Sequence, residues 1–81
     1  MGSVAFEYPQ YRKYTGIDTW FRIESEKKFT EIKRIGENYL SVTILAVQYP
    51  EKVLINDMLN CHENRWEIID KNEWDRVDAL V

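Results

Sequence analysis

The chain contains a single cysteine, Cys61, and therefore cannot close a disulfide bond within itself. A chain of 81 residues without such a bond must be stabilised by its apolar core, and a reducing compartment suits it. Aromatic residues make up 14% of the sequence and provide the large apolar side chains that a small core needs. We expect one cytoplasmic domain spanning residues 1–81, in which residues 1–3 are a cloning remnant and no signal peptide is present.

Several segments have the composition and periodicity of β-strands. In residues 20–24, apolar Phe21 and Ile23 alternate with charged side chains, which is the two-residue period of a half-buried strand. Residues 39–48 are rich in β-branched side chains, which favour a pleated sheet. Two shorter segments complete the predicted sheet: residues 10–14, interpreted as an edge strand, and residues 66–68.

The segment between the two longer strands, residues 26–35, is compatible with two structures. Its apolar residues recur every three positions, as on a helix that Ser25 caps and Gly36 ends. The same residues are also typical of a strand that enters a hairpin turn at Gly36-Glu37-Asn38. We prefer the strand, because a hairpin pairs it with the following strand through a short loop.

Two segments are predicted to be helices. In residues 51–61 the apolar side chains fall on one face, and the fixed φ of Pro50 suits the first turn of a helix. Residues 71–80 follow Asp70, which can accept from the first N–H groups of a helix while Glu73 reaches back to it. The sequence therefore predicts a small α+β domain: an antiparallel sheet of three to five strands, with both helices packed on one face.

Cys61 and His62 are the only cysteine and the only histidine of the chain, and they are adjacent. Adjacent side chains diverge on helices and on strands, so a thiolate and its base usually come from distant parts of a chain. Asp57 is a third candidate metal ligand, but a structural zinc site needs about four ligands. We predict no catalytic residue, no metal site and no cofactor, and interpret Cys61 and His62 as structural residues.

An aromatic and basic cluster near the N-terminus is the most prominent candidate binding surface. Tyrosines flank an Arg-Lys pair there, and tyrosine and arginine are common anchors of protein interfaces. Aromatic rings also stack on the bases of single-stranded nucleic acid, while Lys and Arg neutralise its phosphates. This candidate patch consists of Tyr8, Tyr11, Arg12, Lys13, Tyr14 and Trp20.

The charges are unevenly distributed along the chain, whose formal net charge is −3. Residues 1–37 have a net charge of +1 and residues 38–81 a net charge of −4, which argues against a duplex-DNA footprint in the second half. An acidic surface of this kind keeps a domain soluble or docks a basic partner. The acidic strip is formed by Glu67, Asp70, Glu73, Asp75 and Asp78.

These patterns lead to two functional hypotheses. The first is a non-enzymatic domain that binds another protein, as an inhibitor or adaptor, through the candidate patch or the acidic strip. The second is a module that binds single-stranded nucleic acid through the same patch. A homodimer is a further alternative, and no membrane partner is expected, because no apolar run reaches the roughly 18–20 residues of a membrane helix.

Overall fold

A computed structural model describes residues 6–81, which form a five-stranded antiparallel sheet and two α-helices. The predicted α+β fold class is therefore confirmed. The strands are β1 (Gln10–Tyr14), β2 (Thr19–Ser25), β3 (Lys28–Ile35), β4 (Asn38–Leu45) and β5 (Trp66–Ile68). The helices are α1 (Tyr49–Leu59) and α2 (Lys71–Asp78), and a short 3-10 turn spans His62–Asn64.

The strands lie in the order β4-β3-β2-β1-β5, and each is antiparallel to its neighbours. β1 is an inner strand between β2 and β5, so the prediction that residues 10–14 form an edge strand was wrong. The reason is non-local, since Tyr14 of β1 pairs with Trp66, far along the chain. The two edges of the sheet are β4 and β5.

β3 and β4 form a hairpin, which confirms the strand interpretation of residues 26–35. Ile35 pairs with Asn38 across a two-residue loop in which Gly36 has a φ of +62°, a value that glycine adopts without steric cost. The register continues without a shift to Lys28 opposite Leu45. Every residue of β4 therefore has a partner in β3.

The two helices lie on opposite faces of the sheet, and the prediction that both pack on one face was wrong. On the face covered by α1, Phe21 and Ile23 belong to a cluster with buried residues of that helix. On the face covered by α2, Trp74 and Val77 pack against Trp20. Because Trp20 and Phe21 are consecutive in β2, they point to opposite sides, and this strand is buried on both faces.

The side chain of Arg22 explains why the alternating pattern of β2 did not predict a helix on each face of the sheet. Its charge suggested that this side of β2 faces solvent, but its guanidinium carbon lies 5.7 Å from the centroid of the Trp74 ring. A guanidinium can cover an aromatic face while its aliphatic part packs on apolar surface. The alternation of Phe21 with Arg22 therefore indicated that β2 has two different faces. It did not indicate that α2 covers the face on which Arg22 lies.

The helices begin and end close to their predicted positions. α1 spans Tyr49–Leu59 rather than residues 51–61, and Pro50 lies in its first turn. α2 begins at Lys71 as predicted and ends at Asp78 rather than at residue 80. Among residues 6–81, no helix is both long and apolar enough to cross a membrane.

Asp70 caps the N-terminus of α2, as predicted. Its Oδ1 accepts a hydrogen bond from the backbone N–H of Glu73 at 2.8 Å. The carboxylate of Glu73 does not reach back in return, because its Oε2 accepts from the Nε1–H of Trp20 at 3.1 Å. Half of the predicted capping box is present, and Glu73 instead ties α2 to β2.

Asp70→Ala is expected to lower the free energy of unfolding by about 1 kcal/mol, because one of the first N–H groups of α2 loses its acceptor. Chemical denaturation of the purified protein measures this change. Asp75→Ala is the matched control, since it removes an exposed carboxylate from the same helix and is expected to cost about 0.5 kcal/mol or less. Equal effects of the two substitutions would contradict a capping role for Asp70.

Candidate functional site

The six residues of the candidate patch do not form one surface. Neighbouring residues of β1 alternate between the two faces of the sheet, so Tyr11 and Lys13 lie on the α2 face while Arg12 and Tyr14 lie on the α1 face. Trp20, opposite Lys13 in the register, also lies on the α2 face. The remaining residue, Tyr8, precedes β1.

Arg12 is buried and binds the C-terminal end of α1. Its side chain is only 2% exposed, so a partner molecule does not reach it. Its Nε donates to the carbonyl of Met58 at 3.0 Å, and its Nη2 donates to the carbonyl of Leu59 at 3.1 Å. In the last turn of a helix no further helical N–H donates to these carbonyls, and a cation near them is favoured by the helix dipole. The carbonyl of Met58 also accepts from the backbone N–H of Cys61 at 3.2 Å. Arg12 therefore connects β1 to α1.

The aromatic rings of the patch are largely occupied by contacts within the core. Tyr14 stacks on Trp66 with ring centroids 5.3 Å apart, and the centroid of Tyr11 lies 6.2 Å from that of Trp74. Trp20 is 7% exposed, and the ammonium of Lys13 lies 5.8 Å from its ring centroid. Each of these rings therefore already contacts an aromatic or cationic side chain of the protein.

Tyr8 is the exposed aromatic residue of the patch, and it lines a groove beside α1. The groove has a volume of about 530 Å³. Its walls combine apolar and charged side chains of both signs: Phe6, Tyr8, Glu26, Lys27, Lys52, Ile55, Asn56 and Leu59. The lining contains two lysines, Lys27 and Lys52, and one acid, Glu26, so the positive charge at the groove is small.

The acidic strip is partly used for contacts within the domain. Asp70 caps α2, Glu73 accepts from Trp20, and Asp75 accepts from the ammonium of Lys71 at 2.7 Å. The hydrogen bond and the charge of Asp75 raise the pKa of Lys71, because both stabilise the ammonium form. Of the strip, Glu67 and Asp78 are exposed acids in β5 and α2.

The loop after α1 holds Cys61 and His62. Cys61 has a φ of 49° and packs against the cluster beneath α1, while Glu63 and Asn64 have φ values of 56° and 58°. His62 Nε2 lies 3.4 Å from Glu63 Oε1. No group of three metal-ligating side chains converges within residues 6–81. In this part of the chain, the thiol is a packing group at the end of a helix.

β4 forms a surface that the sequence analysis did not single out. It is an edge strand of eight residues, and it contains no charged residue, no proline and no register shift. Leu40, Val42 and Leu45 are 52%, 51% and 61% exposed, so more than half of each side chain meets solvent. We call this strand, with its unpaired backbone side and these three side chains, the β4 edge.

Within residues 6–81, no strand pairs with the outer backbone side of the β4 edge. The N–H of Ala46 points toward β3 and donates to the carbonyl of Lys27 at 2.7 Å. Because successive backbone groups of a strand point in opposite directions, Tyr39, Ser41 and Thr43 direct theirs away from β3. An inner strand satisfies such groups with a neighbour, whereas here they face the open side of the sheet.

The opposite edge of the sheet is protected in a way that the β4 edge is not. β5 has only three residues, and a very short edge strand offers little template for another chain. Charged side chains, prolines and bulges serve the same purpose in other proteins, and β4 has none of them. A sequence signal existed: residues 38–50 lack any charge, although 31% of the chain is charged.

The chain matches no protein-family model, and no curated protein or solved structure matches it at a significant level. The surfaces of the domain are therefore compared by their own geometry. The candidate patch is divided between two faces, whereas the β4 edge is continuous along one strand.

Proposed function

We propose that this domain is a non-enzymatic protein-binding module that docks its partner on the β4 edge by β-strand addition. In this mode an extended segment of the partner pairs with an exposed strand and continues the sheet. The observation that carries the proposal is an eight-residue strand whose outer backbone side pairs with no other strand among residues 6–81 and which has no charge, proline or bulge to prevent pairing.

The side chains of β4 support the same mode of binding. Leu40 and Val42 lie on the α1 face and Leu45 lies on the α2 face, so an added strand meets apolar groups on both sides. Completing the burial of one such side chain contributes on the order of 1 kcal/mol. Main-chain hydrogen bonds then supply affinity, and the pattern of side chains supplies selectivity.

The geometry favours this proposal over nucleic-acid binding through the candidate patch. Arg12 and Trp20 are buried, so one cation and one aromatic ring of that hypothesis are not accessible to a strand of bases. A labelled single-stranded oligonucleotide is therefore expected not to bind, even at low salt, where phosphate contacts are strongest.

Val42→Lys is expected to weaken binding of the partner by more than about tenfold, because it places an ammonium group between Leu40 and Ile44 at the centre of the docking strand, where an added strand has to cover that charge. Wild type and variant serve as baits for capture from an extract of the native host, with identification by mass spectrometry. The dissociation constant is then measured with the purified partner.

Ile68→Lys is the matched control for Val42→Lys. It introduces the same charge at a residue that is 72% exposed on the opposite edge strand, and it is expected to leave binding unchanged. Docking on the β4 edge would be contradicted if Val42→Lys bound the partner with wild-type affinity. It would also be contradicted if Val42→Lys and Ile68→Lys weakened binding equally.

A further inference from the structure

We infer that the partner of the β4 edge is a second copy of this chain, so that two sheets join into one through antiparallel pairing of β4 with β4. This inference rests on the proposed function, because it names the partner of the same surface. Two-fold symmetry makes the interface self-complementary, since each copy offers the same strand to the other. The two-fold axis lies midway between the two Val42 residues and is perpendicular to the sheet.

The side chains of β4 match themselves in this register. With Val42 opposite Val42 of the second copy, Leu40 faces Ile44 and Ser41 faces Thr43. Apolar side chains then meet on the α1 face, and hydroxyl groups meet on the α2 face. Pairs of β-branched residues and pairs of hydroxyl residues are favourable cross-strand neighbours.

The backbone N–H and C=O groups of β4 point in the directions that this register requires. Ser41 and Thr43 direct their N–H and C=O groups away from β3, so they form the hydrogen-bonded pair between the two copies. Val42 then occupies the non-hydrogen-bonded pair, in which the Cα atoms of opposite residues are about 4.5 Å apart and the side chains are closest. The continuous run of exposed residues 40–43 is therefore covered by its own equivalent.

Electrostatics permits two copies of an acidic chain to approach along this strand. β4 contains no charge, so no like charges face each other across the pair. Across the strands, the charged residue nearest to Val42 is Glu31, its pairing partner in β3. The two Glu31 side chains are three strand spacings apart, about 14 Å, which exceeds the Debye length of about 8 Å at physiological ionic strength.

Sedimentation velocity of the purified wild type between micromolar and high micromolar concentration tests the pairing. We expect a monomer–dimer equilibrium that moves to dimer as concentration rises. Val42→Lys places two ammonium groups opposite each other and is expected to raise the dimer dissociation constant more than about 100-fold. Ile68→Lys, at the opposite edge, is expected to dimerise as the wild type does.

Cross-linking tests the register. In a Cys61→Ser background, Val42→Cys is expected to form an intermolecular disulfide under mild oxidation, because the two residues at position 42 are direct neighbours. Thr43→Cys is the matched control: its direct neighbour in the second copy is Ser41, so it is expected to cross-link far more slowly. Equal rates for the two variants overturn the two-fold axis at Val42.

A wild type that stays monomeric up to high micromolar concentration overturns self-pairing, and so does a dimer that Val42→Lys does not weaken. Neither result overturns docking of a different protein on the β4 edge, which the capture experiment tests separately. The failures of the two proposals are thus distinguishable.

Discussion

Arg12→Ala is expected to lower the free energy of unfolding by about 3 kcal/mol or more, because its two buried charge-assisted hydrogen bonds to α1, of about 1.5–3 kcal/mol each, are lost together with those to Gln10 and Tyr11. The carbonyl of Leu59 loses the Arg12 donor in a buried site, the carbonyl of Met58 keeps only the N–H of Cys61, and the missing side chain leaves a void between β1 and α1. The melting temperature is expected to fall by about 15 °C or more, on the scale of a domain this size.

Two variants separate this role from a loss of surface charge. Lys13→Ala removes a half-exposed cation from the adjacent position and is expected to cost about 1 kcal/mol or less. Arg12→Lys keeps the charge but not the planar arrangement of donors, so an intermediate loss is expected. If Arg12→Ala melts at the same temperature as Lys13→Ala, the conclusion that Arg12 connects β1 to α1 is wrong. Arg12 would then belong to an accessible surface patch, as the sequence analysis predicted.

Trp74→Ala is expected to lower the free energy of unfolding by about 3–5 kcal/mol, the usual cost of truncating a buried aromatic side chain. Trp74 is 1% exposed, and together with Val77 it packs α2 onto the sheet, where its ring lies near Tyr11, Trp20 and Arg22. Hydrogen exchange is the informative measurement, because it reports the protection of each helix separately.

The expected exchange pattern follows from the two-sided architecture. Trp74→Ala is expected to remove the protection of α2 and to leave that of α1 largely intact, since the sheet lies between them. Leu80→Ala, at a residue that is 58% exposed beyond the end of α2, is the control and is expected to cost about 0.5 kcal/mol or less. Equal loss of protection in α1 and α2 would contradict helices packed on separate faces.

The elements that the sequence predicted correctly are those whose signals are local. The two-residue loop at Gly36, the β-branched run of β4 and the cap at Asp70 each depend on side chains within a few positions of one another. The strand at Trp66–Ile68 was also predicted with its observed bounds. Such signals act through backbone geometry and short hydrogen bonds, which the neighbouring residues determine.

The candidate site was not predictable in the same way. Arg12 and Lys13 are adjacent cations of similar propensity, and nothing within β1 distinguishes the buried one from the half-exposed one. The β4 edge left a local signal, the uncharged residues 38–50, but an uncharged strand also suits the middle of a sheet. Its position in the strand order decides whether such a strand is covered or open.

The sequence by itself determined the α+β class, most strands, both helices and the Asp70 cap of α2, because periodicity and capping act over a few residues. Only the tertiary structure decided that β1 is an inner strand, that α1 and α2 cover opposite faces and that Arg12 binds the end of α1. Each of these depends on contacts between residues far apart in the chain, such as Tyr14 with Trp66 or Arg12 with Met58. Which face meets which helix is settled by how all elements pack together, and no local pattern encodes it.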